Sequence, residues 1–174
     1  NKFTEPVNLG PTINTEYDED APLIHQDNQT LYFSSSGWPG MGSNDLFYSR
    51  KDENGNFTAP VNMGYPINTS GDERSFHISR SGKKAFISSS RLGGFGGVDI
   101  YSFQLYKEAQ PVPTSYVKGI VTDEETGAFL SASAELFNLN SGNLILSTSS
   151  NEKSGEFMMV LQPETFYGLN VNKE

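Results

Sequence analysis

Short apolar runs, broken by glycine, proline and asparagine, follow one another along the whole chain. In Thr30–Ser36 apolar side chains alternate, so that Leu31 and Phe33 share one face of a strand and Tyr32 lies on the other. Asn54-Gly55 is a strong signal for a hairpin turn. Further runs of strand type are Ala21–His25, Asp45–Lys51 and Phe57–Met63. The pattern predicts short antiparallel strands and no helix.

Residues 3–49 recur at residues 57–103, at a constant offset of 54 positions and without a gap. FTEPVNLG becomes FTAPVNMG, and LYFSSS becomes AFISSS; we call this repeated unit the cassette. A fixed period of this size indicates a repeat architecture. The first copy predicts four strands, and the second predicts three: Ser75–Ser79, Ala85–Ser90 and Asp99–Leu105. Four-stranded sheets at a regular period are typical of β-propeller blades.

Two blades are too few to close a ring of roughly 4–8. We therefore expect that upstream blades are missing from this chain, and that Phe3–Asn8 is the outer strand of a missing blade. From residue 111 the sequence reads PVPTSY instead of another FTxPVN, so we expect the array of cassettes to end there.

The pattern changes after the second copy. Residues 107–115, KEAQPVPTS, have the polar, proline-containing composition of a semi-rigid linker. Residues 116–174 alternate strand runs with turn signals at a spacing of about 8–12 residues, which predicts a small β-sandwich. The predicted organisation is therefore residues 1–106 as blades, 107–115 as a linker and 116–174 as a sandwich.

Composition excludes several classes of function. The formal charge is −9, with 8 Lys+Arg against 12 Asp+Glu in residues 1–106 and 4 against 9 in residues 107–174. This balance disfavours nucleic-acid and anionic-membrane binding, because phosphate neutralisation needs clustered basic residues. The absence of cysteine excludes disulfides and thiol chemistry. The apolar runs are too short to span a bilayer, and no signal peptide is visible at the first residues.

Two families resemble the two parts of the chain. The cassette resembles the PD40, or WD40-like, repeats of TolB-like propellers, in the variant found in OmpA-family envelope proteins of Bacteroidetes-type bacteria. The residues that carry this match are Asn14 and Asn68, Asp18-Glu19 and Asp72-Glu73, the SSS triplets, and Asp45 and Asp99. Residues 116–174 resemble the carboxypeptidase-regulatory-like, transthyretin-like sandwich. The residues that carry this second match are Val117, Gly119, Val121, Asp123, Thr126-Gly127, Leu130, Gly155, Phe157, Leu161 and Tyr167.

The resemblance implies a setting as well as a fold. Proteins with this order of domains are periplasmic and associated with the outer membrane, and one of them is a type IX secretion component. The implied partners are envelope or secretion-system proteins, with peptidoglycan bound only through an OmpA-like domain that lies outside this chain.

Several residues could carry chemistry, and each has a structural alternative. Asp18, Glu19 and Asp20 could offer oxygen ligands to calcium, but Asp18-Glu19 recurs as Asp72-Glu73, which favours a role in building the repeat. Asp52–Asn56 favours a hairpin turn over a calcium loop, and Gly93–Gly97 favours an interstrand loop over a phosphate cradle. His25 and His77 are not equivalent in the repeat, and no GxSxG motif occurs.

Residues that differ between the copies are candidates for a partner surface, because aromatic, Met and Arg side chains are enriched at protein interfaces. These residues are Trp38, Pro39, Met41, Arg74, Arg80, Arg91, Leu92 and Phe95. An alternative for Trp38 is that it plugs the edge of its own blade.

The sequence predicts an all-β protein, with about two blades of a larger propeller and a transthyretin-like sandwich, that acts as a non-catalytic scaffold. We assign no catalytic residue, metal or cofactor. The competing hypothesis is a carbohydrate- or peptide-binding propeller, or the accessory part of a propeller-bearing hydrolase.

Overall fold

The computed structural model describes residues 4–173. The described chain divides into two compact units after Val112. Its regular structure is antiparallel β-sheet with one 3-10 turn at Lys107–Ala109, so the prediction of an all-β protein is confirmed. Across these residues, no helix combines the length and the apolar character that a bilayer crossing requires.

The first unit contains two sheets, one from each copy of the cassette. The first sheet consists, in spatial order, of β1 (Glu19–Ile24), β2 (Thr30–Ser35), β3 (Asp45–Arg50) and β4 (Val61–Asn62). The second consists of β5 (Glu73–Ile78), β6 (Lys84–Ser89) and β7 (Asp99–Gln104). The register is the same in both, since Ser35 lies opposite Asp45 and Ser89 lies opposite Asp99. The predicted succession of four strands and then three is therefore confirmed.

Two predicted strands differ from the structure. The run Phe57–Met63 contributes only β4, because Pro60 has no N–H to donate and Phe57 forms an isolated bridge. In the predicted strand Phe3–Asn8, Phe3 lies outside the described residues, and residues 4–8 belong to no strand. The equivalent of Val7–Asn8 in the second copy is β4, which is ordered by pairing with β3.

The main core of the first unit lies between its two sheets. Tyr32 and Phe76 stack with their ring centroids 4.3 Å apart, and neither side chain is exposed. The other buried members of this core are Leu46, Tyr48, Met63, Ile67, Ala85, Ile87, Leu105 and Ala109. Leu31 and Phe33 lie instead in a second cluster, with Ile13 and Phe47. The alternation predicted for β2 is thus confirmed.

Residues 107–112, which the sequence assigns to a linker, are fastened to the first sheet. The Tyr32 hydroxyl donates to the carbonyl of Ala109 at 2.6 Å, and the Val112 N–H donates to Asp27 Oδ2 at 2.9 Å. The Arg50 guanidinium donates to the carbonyl of Gln110. Burial raises the pKa of the Tyr32 hydroxyl far above its usual range, and nearby Asp27 adds to this effect. Residues 107–112 therefore pack within the first compact unit.

The second unit contains a three-stranded and a two-stranded sheet. Its strands are β8 (Ser115–Ile120), β9 (Ala132–Asn138), β10 (Leu144–Ser149), β11 (Glu156–Leu161) and β12 (Tyr167–Lys173). The order β10-β9-β12 forms one sheet, and β11-β8 forms the other. Leu136 from the first and Met159 from the second are buried in one shared apolar cluster. Gly119 is required there, since a Cβ atom would lie 2.4 Å from the ring of Phe157.

Candidate interaction surface

The repeated glutamates cap turns within their own sheets. Glu73 is fully buried and accepts hydrogen bonds from the Thr69 N–H at 2.8 Å, the Thr69 hydroxyl at 2.7 Å and the Ser89 hydroxyl at 2.6 Å. Glu19 accepts the three equivalent bonds from Thr15 and Ser35 at 2.7–2.8 Å. Both carboxylates have defined protein donors, as buried charges require.

Two other repeated residues join the sheets to each other. Asp72 accepts a hydrogen bond from the N–H of Asn44 at 3.1 Å, and the buried Asn68 amide bonds the backbone of Leu46. Their equivalents in the first copy are the exposed Asp18 and the half-buried Asn14. Asp20, the third of the acidic residues that could offer ligands to calcium, lies 3.7 Å from Arg74.

The last pair of repeated carboxylates shapes the loop before the third strand of each sheet. Asp45 accepts from the N–H groups of Met41 and Gly42 at 2.7 and 3.0 Å. Asp99 accepts from Phe95 and Gly96 at 2.7 and 3.2 Å. One carboxylate oxygen thus accepts from two consecutive N–H groups at equivalent positions of the two loops.

These loops present apolar side chains to solvent, at the equivalent positions 41 and 95 and at Leu92 in the second loop. Met41 is half exposed, whereas Phe95 and Leu92 are almost completely exposed. Both loops lie at one end of their sheets, because a Cβ atom at Gly42 would touch the carbonyl of Gly71, and Gly71 in turn lies against the backbone of Arg91. We call Met41, Leu92 and Phe95 the loop patch.

The other candidate residues for a partner surface lie outside the loop patch or already make contacts within the first unit. Trp38 packs against the cluster around Phe33 and donates from Nε1 to the carbonyl of Ile13 at 2.9 Å, so it belongs to the packing of the first sheet. Arg91 donates to the carbonyls of Pro66 and Ile67 and lies 3.7 Å from Glu73. Three candidates remain. Pro39 is exposed, and Arg74 pairs with Asp20. Arg80 lies in the turn between β5 and β6, which is at the opposite end of β6 from the loop patch.

The described residues contain no group of three or more His, Asp or Glu side chains that could hold a metal ion. The Nδ1 atom of His25 accepts from the N–H of Asp27 within its own hairpin, and His77 is exposed on β5. Asp52 accepts from Asn54 and Asn56, as the predicted hairpin turn requires.

Sequence reasoning missed the donors that serve the repeated carboxylates. Thr15 and Thr69 cap the two glutamates, and Ser35 and Ser89 complete the sites. All four are identical between the copies, so the repeat itself carried the signal that identifies them. The buried Asp27 has no such signal, because its equivalent in the second copy is Ser81.

The chain was compared with protein-family models, curated proteins and solved structures, and none of these comparisons gives a match.

Proposed function

We propose that this chain is a non-catalytic protein-interaction module, in which the cassette sheets are blades of a PD40-type propeller and residues 116–174 form a carboxypeptidase-regulatory-like sandwich. The observation that carries the proposal is the loop patch: Leu92 and Phe95 face solvent, while the carboxylates that shape the two loops, Asp45 and Asp99, are committed to the fold. Exposed apolar side chains on well-held loops suit docking of a protein partner.

The rigidity of the loops supports this role. Asp99 fixes the backbone of residues 95 and 96 before any partner arrives, so that binding would order few additional groups. A Cβ atom at Gly94 would lie 2.1 Å from the Asp99 carboxylate, and at Gly40 it would lie 1.9 Å from the Asp45 carboxylate. Glycine at these two positions lets the carboxylate approach the loop.

The setting that the cassette resemblance implies is the periplasm, at the outer membrane, with envelope or secretion-system proteins as partners. Under this proposal the chain acts by presenting surfaces, and it requires no metal or cofactor.

Capture from an envelope extract tests the proposal when it is done with matched variants. Phe95→Ala removes a fully exposed side chain of the loop patch, and Phe166→Ala removes a mostly exposed side chain from the second unit. We expect Phe95→Ala to lose a defined envelope or secretion protein that the native chain and Phe166→Ala both retain. Equal capture by all three chains contradicts the proposal. A rise in melting temperature with glycans, or hydrolysis of a glycoside or peptide that Asp18→Ala abolishes, would favour the competing hypothesis.

A further inference from the structure

The two ends of the cassette sheets carry opposite charges. One end, which we call the loop end, holds the turns before β1 and β5 and the loops before β3 and β7, and it includes the loop patch. The loop end has eight Asp and Glu side chains against two arginines, a formal charge of −6. Its residues are 14–20, 36–45, 68–74 and 90–99. The opposite end has four acidic against six basic side chains, a formal charge of +2. Its residues are 25–30, 50–57, 79–84 and 104–110.

Both arginines of the loop end are paired with acidic residues of that end. Arg74 lies 3.7 Å from Asp20, and Arg91 lies 3.7 Å from Glu73. Four further carboxylates accept hydrogen bonds from uncharged N–H and hydroxyl groups: those of Glu19, Asp45, Asp72 and Asp99. Uncharged donors hold a carboxylate in place, but its negative charge still contributes to the potential at the surface. The loop end therefore attracts cations.

Glu16 adds an exposed carboxylate to the loop end. Its equivalent in the second copy, Ser70, is also exposed, although Gly42 of the first loop lies against the adjacent Gly71. A neighbouring sheet thus leaves this position of the cassette exposed. The Glu16 carboxylate is therefore available to a partner that docks on the loop end.

Leu92 is exposed because Arg91 makes the hydrogen bond that Trp38 makes in the first copy. Trp38, the equivalent of Leu92, donates to the carbonyl of Ile13 at 2.9 Å. Arg91 donates to the equivalent carbonyl of Ile67 at 2.7 Å. The packing of the second sheet therefore does not use Leu92, whose side chain is 95% exposed.

Tyr65 adds a second aromatic ring beside the loop patch. The Asn62 amide donates to the carbonyl of Pro39 at 3.0 Å, and Arg91 donates to the carbonyl of Pro66 at 3.0 Å. The chain from Asn62 to Pro66 therefore runs between the two loops, and Tyr65 is 77% exposed there. The loop end thus combines exposed aromatic rings with a net negative charge.

We propose that the partner docked on the loop patch is a basic protein segment, in which Lys or Arg side chains flank apolar ones. This inference rests on the proposed function, because it names the chemistry of the partner that the loop patch binds. The apolar side chains of the segment pack on Leu92 and Phe95, and its cations lie over the rings of Tyr65 and Phe95. The chain contains such a contact already, since the Arg91 guanidinium lies 4.6 Å from the centroid of the Tyr101 ring. An acidic segment is repelled by the same surface, so charge selects among apolar partners.

Synthetic peptides in which Phe alternates with Lys, with Gln or with Glu test the charge preference. Their binding to the purified full chain is measured by fluorescence anisotropy at low and high salt. At low salt we expect the Lys peptide to bind about tenfold more tightly than the Gln peptide, and the Glu peptide not to bind. The advantage of the Lys peptide should disappear near 1 M salt, where charges act over only about 3 Å. Equal affinities for the three peptides, or binding of the Lys peptide that salt does not change, overturn the proposal.

Matched variants locate the binding on the loop end. Phe95→Ala and Tyr65→Ala should each weaken binding of the Lys peptide about fivefold, whereas Phe166→Ala in the second unit should not change it. Glu16→Lys should weaken it about threefold at low salt, whereas Glu53→Lys, at an exposed position of the opposite end, should not. All five side chains are exposed, so we expect each variant to fold. Equal effects of Glu16→Lys and Glu53→Lys overturn the proposal.

Capture from an envelope extract separates the failure of this inference from the failure of the proposed function. A defined protein that is captured through Phe95 and released at high salt supports the basic partner. A protein captured through Phe95 that stays bound near 1 M salt overturns the basic partner and leaves the loop patch as an interaction surface. A neutral glycan that raises the melting temperature of the native chain, but not that of Tyr65→Ala, also overturns it. Equal capture by the native chain and Phe95→Ala contradicts the proposed function itself.

Discussion

The buried Glu73 provides a direct test of how each sheet is held, because the same chain contains a less buried copy of its site at Glu19. The perturbation is Glu73→Gln, which preserves the shape of the side chain and removes its charge. Its three donors are the Thr69 N–H, the Thr69 hydroxyl and the Ser89 hydroxyl, at 2.6–2.8 Å.

A glutamine has one acceptor oxygen where the glutamate has two. If that oxygen serves the Thr69 N–H, the side-chain NH2 group faces the two hydroxyls. The Ser89 oxygen already accepts from the N–H and Nε of Arg91, and the Thr69 oxygen accepts from Gly71. Two charge-assisted hydrogen bonds are therefore lost, together with the attraction of Arg91 at 3.7 Å.

Hydrogen bonds to charged groups contribute about 1.5–3 kcal/mol each, and partial replacement by the amide offsets some of that. We therefore expect Glu73→Gln to lower the free energy of unfolding of the first unit by about 3 kcal/mol. Within residues 4–173 no arginine pairs with Glu19, and its side chain is partly exposed, so we expect Glu19→Gln to cost about 1–2 kcal/mol.

The assay is urea unfolding followed by the fluorescence of Trp38, which is the only tryptophan and lies in the first unit. With m-values of about 1–3 kcal/mol/M, the midpoint should fall by about 1–3 M for Glu73→Gln. A cost at Glu73 that is equal to or smaller than the cost at Glu19 would refute the argument from burial.

Three further predictions address packing and pH. Trp38→Ala should destabilise the first unit by about 2–4 kcal/mol in urea, whereas Met41→Ala should change it by less than about 0.5 kcal/mol. The free energy of unfolding of the native chain should fall as the pH rises above about 10, because burial raises the pKa of Tyr32 in the folded state and the hydroxyl then ionises more readily in the unfolded chain. The variant Tyr32→Phe should show a smaller fall over the same pH range. Gly119→Ala should lower the melting temperature of the second unit, because its Cβ atom meets the Phe157 ring.

Much of the fold followed from the sequence because a repeat without gaps fixes equivalence residue by residue. Once Asp45 and Asp99 occupy one position of the cassette, the hairpins before and after them must share a register, and they do. Alternation in β2 likewise separated Tyr32 from Leu31 and Phe33. Both inferences rest on local geometry, which a sequence encodes directly.

The features that the sequence did not predict depend on contacts between distant residues. Residues 107–112 have the composition of a spacer, yet the Tyr32 hydroxyl fixes Ala109 from 77 positions away. Trp38 had two open roles because side-chain type alone does not say whether a nearby carbonyl, here that of Ile13, accepts its N–H. Amino-acid composition identifies neither of these two hydrogen-bond partners.

Hydrogen exchange at Leu9 and Met63 tests the central claim most directly, because these are equivalent amides in the two copies of one segment. The Met63 amide donates to the carbonyl of Leu46, whereas no described residue accepts a hydrogen bond from the N–H of Leu9. We predict slow exchange at Met63 and fast exchange at Leu9. Fast exchange at both amides in the folded chain would contradict the claim that this segment docks one sheet onto the next.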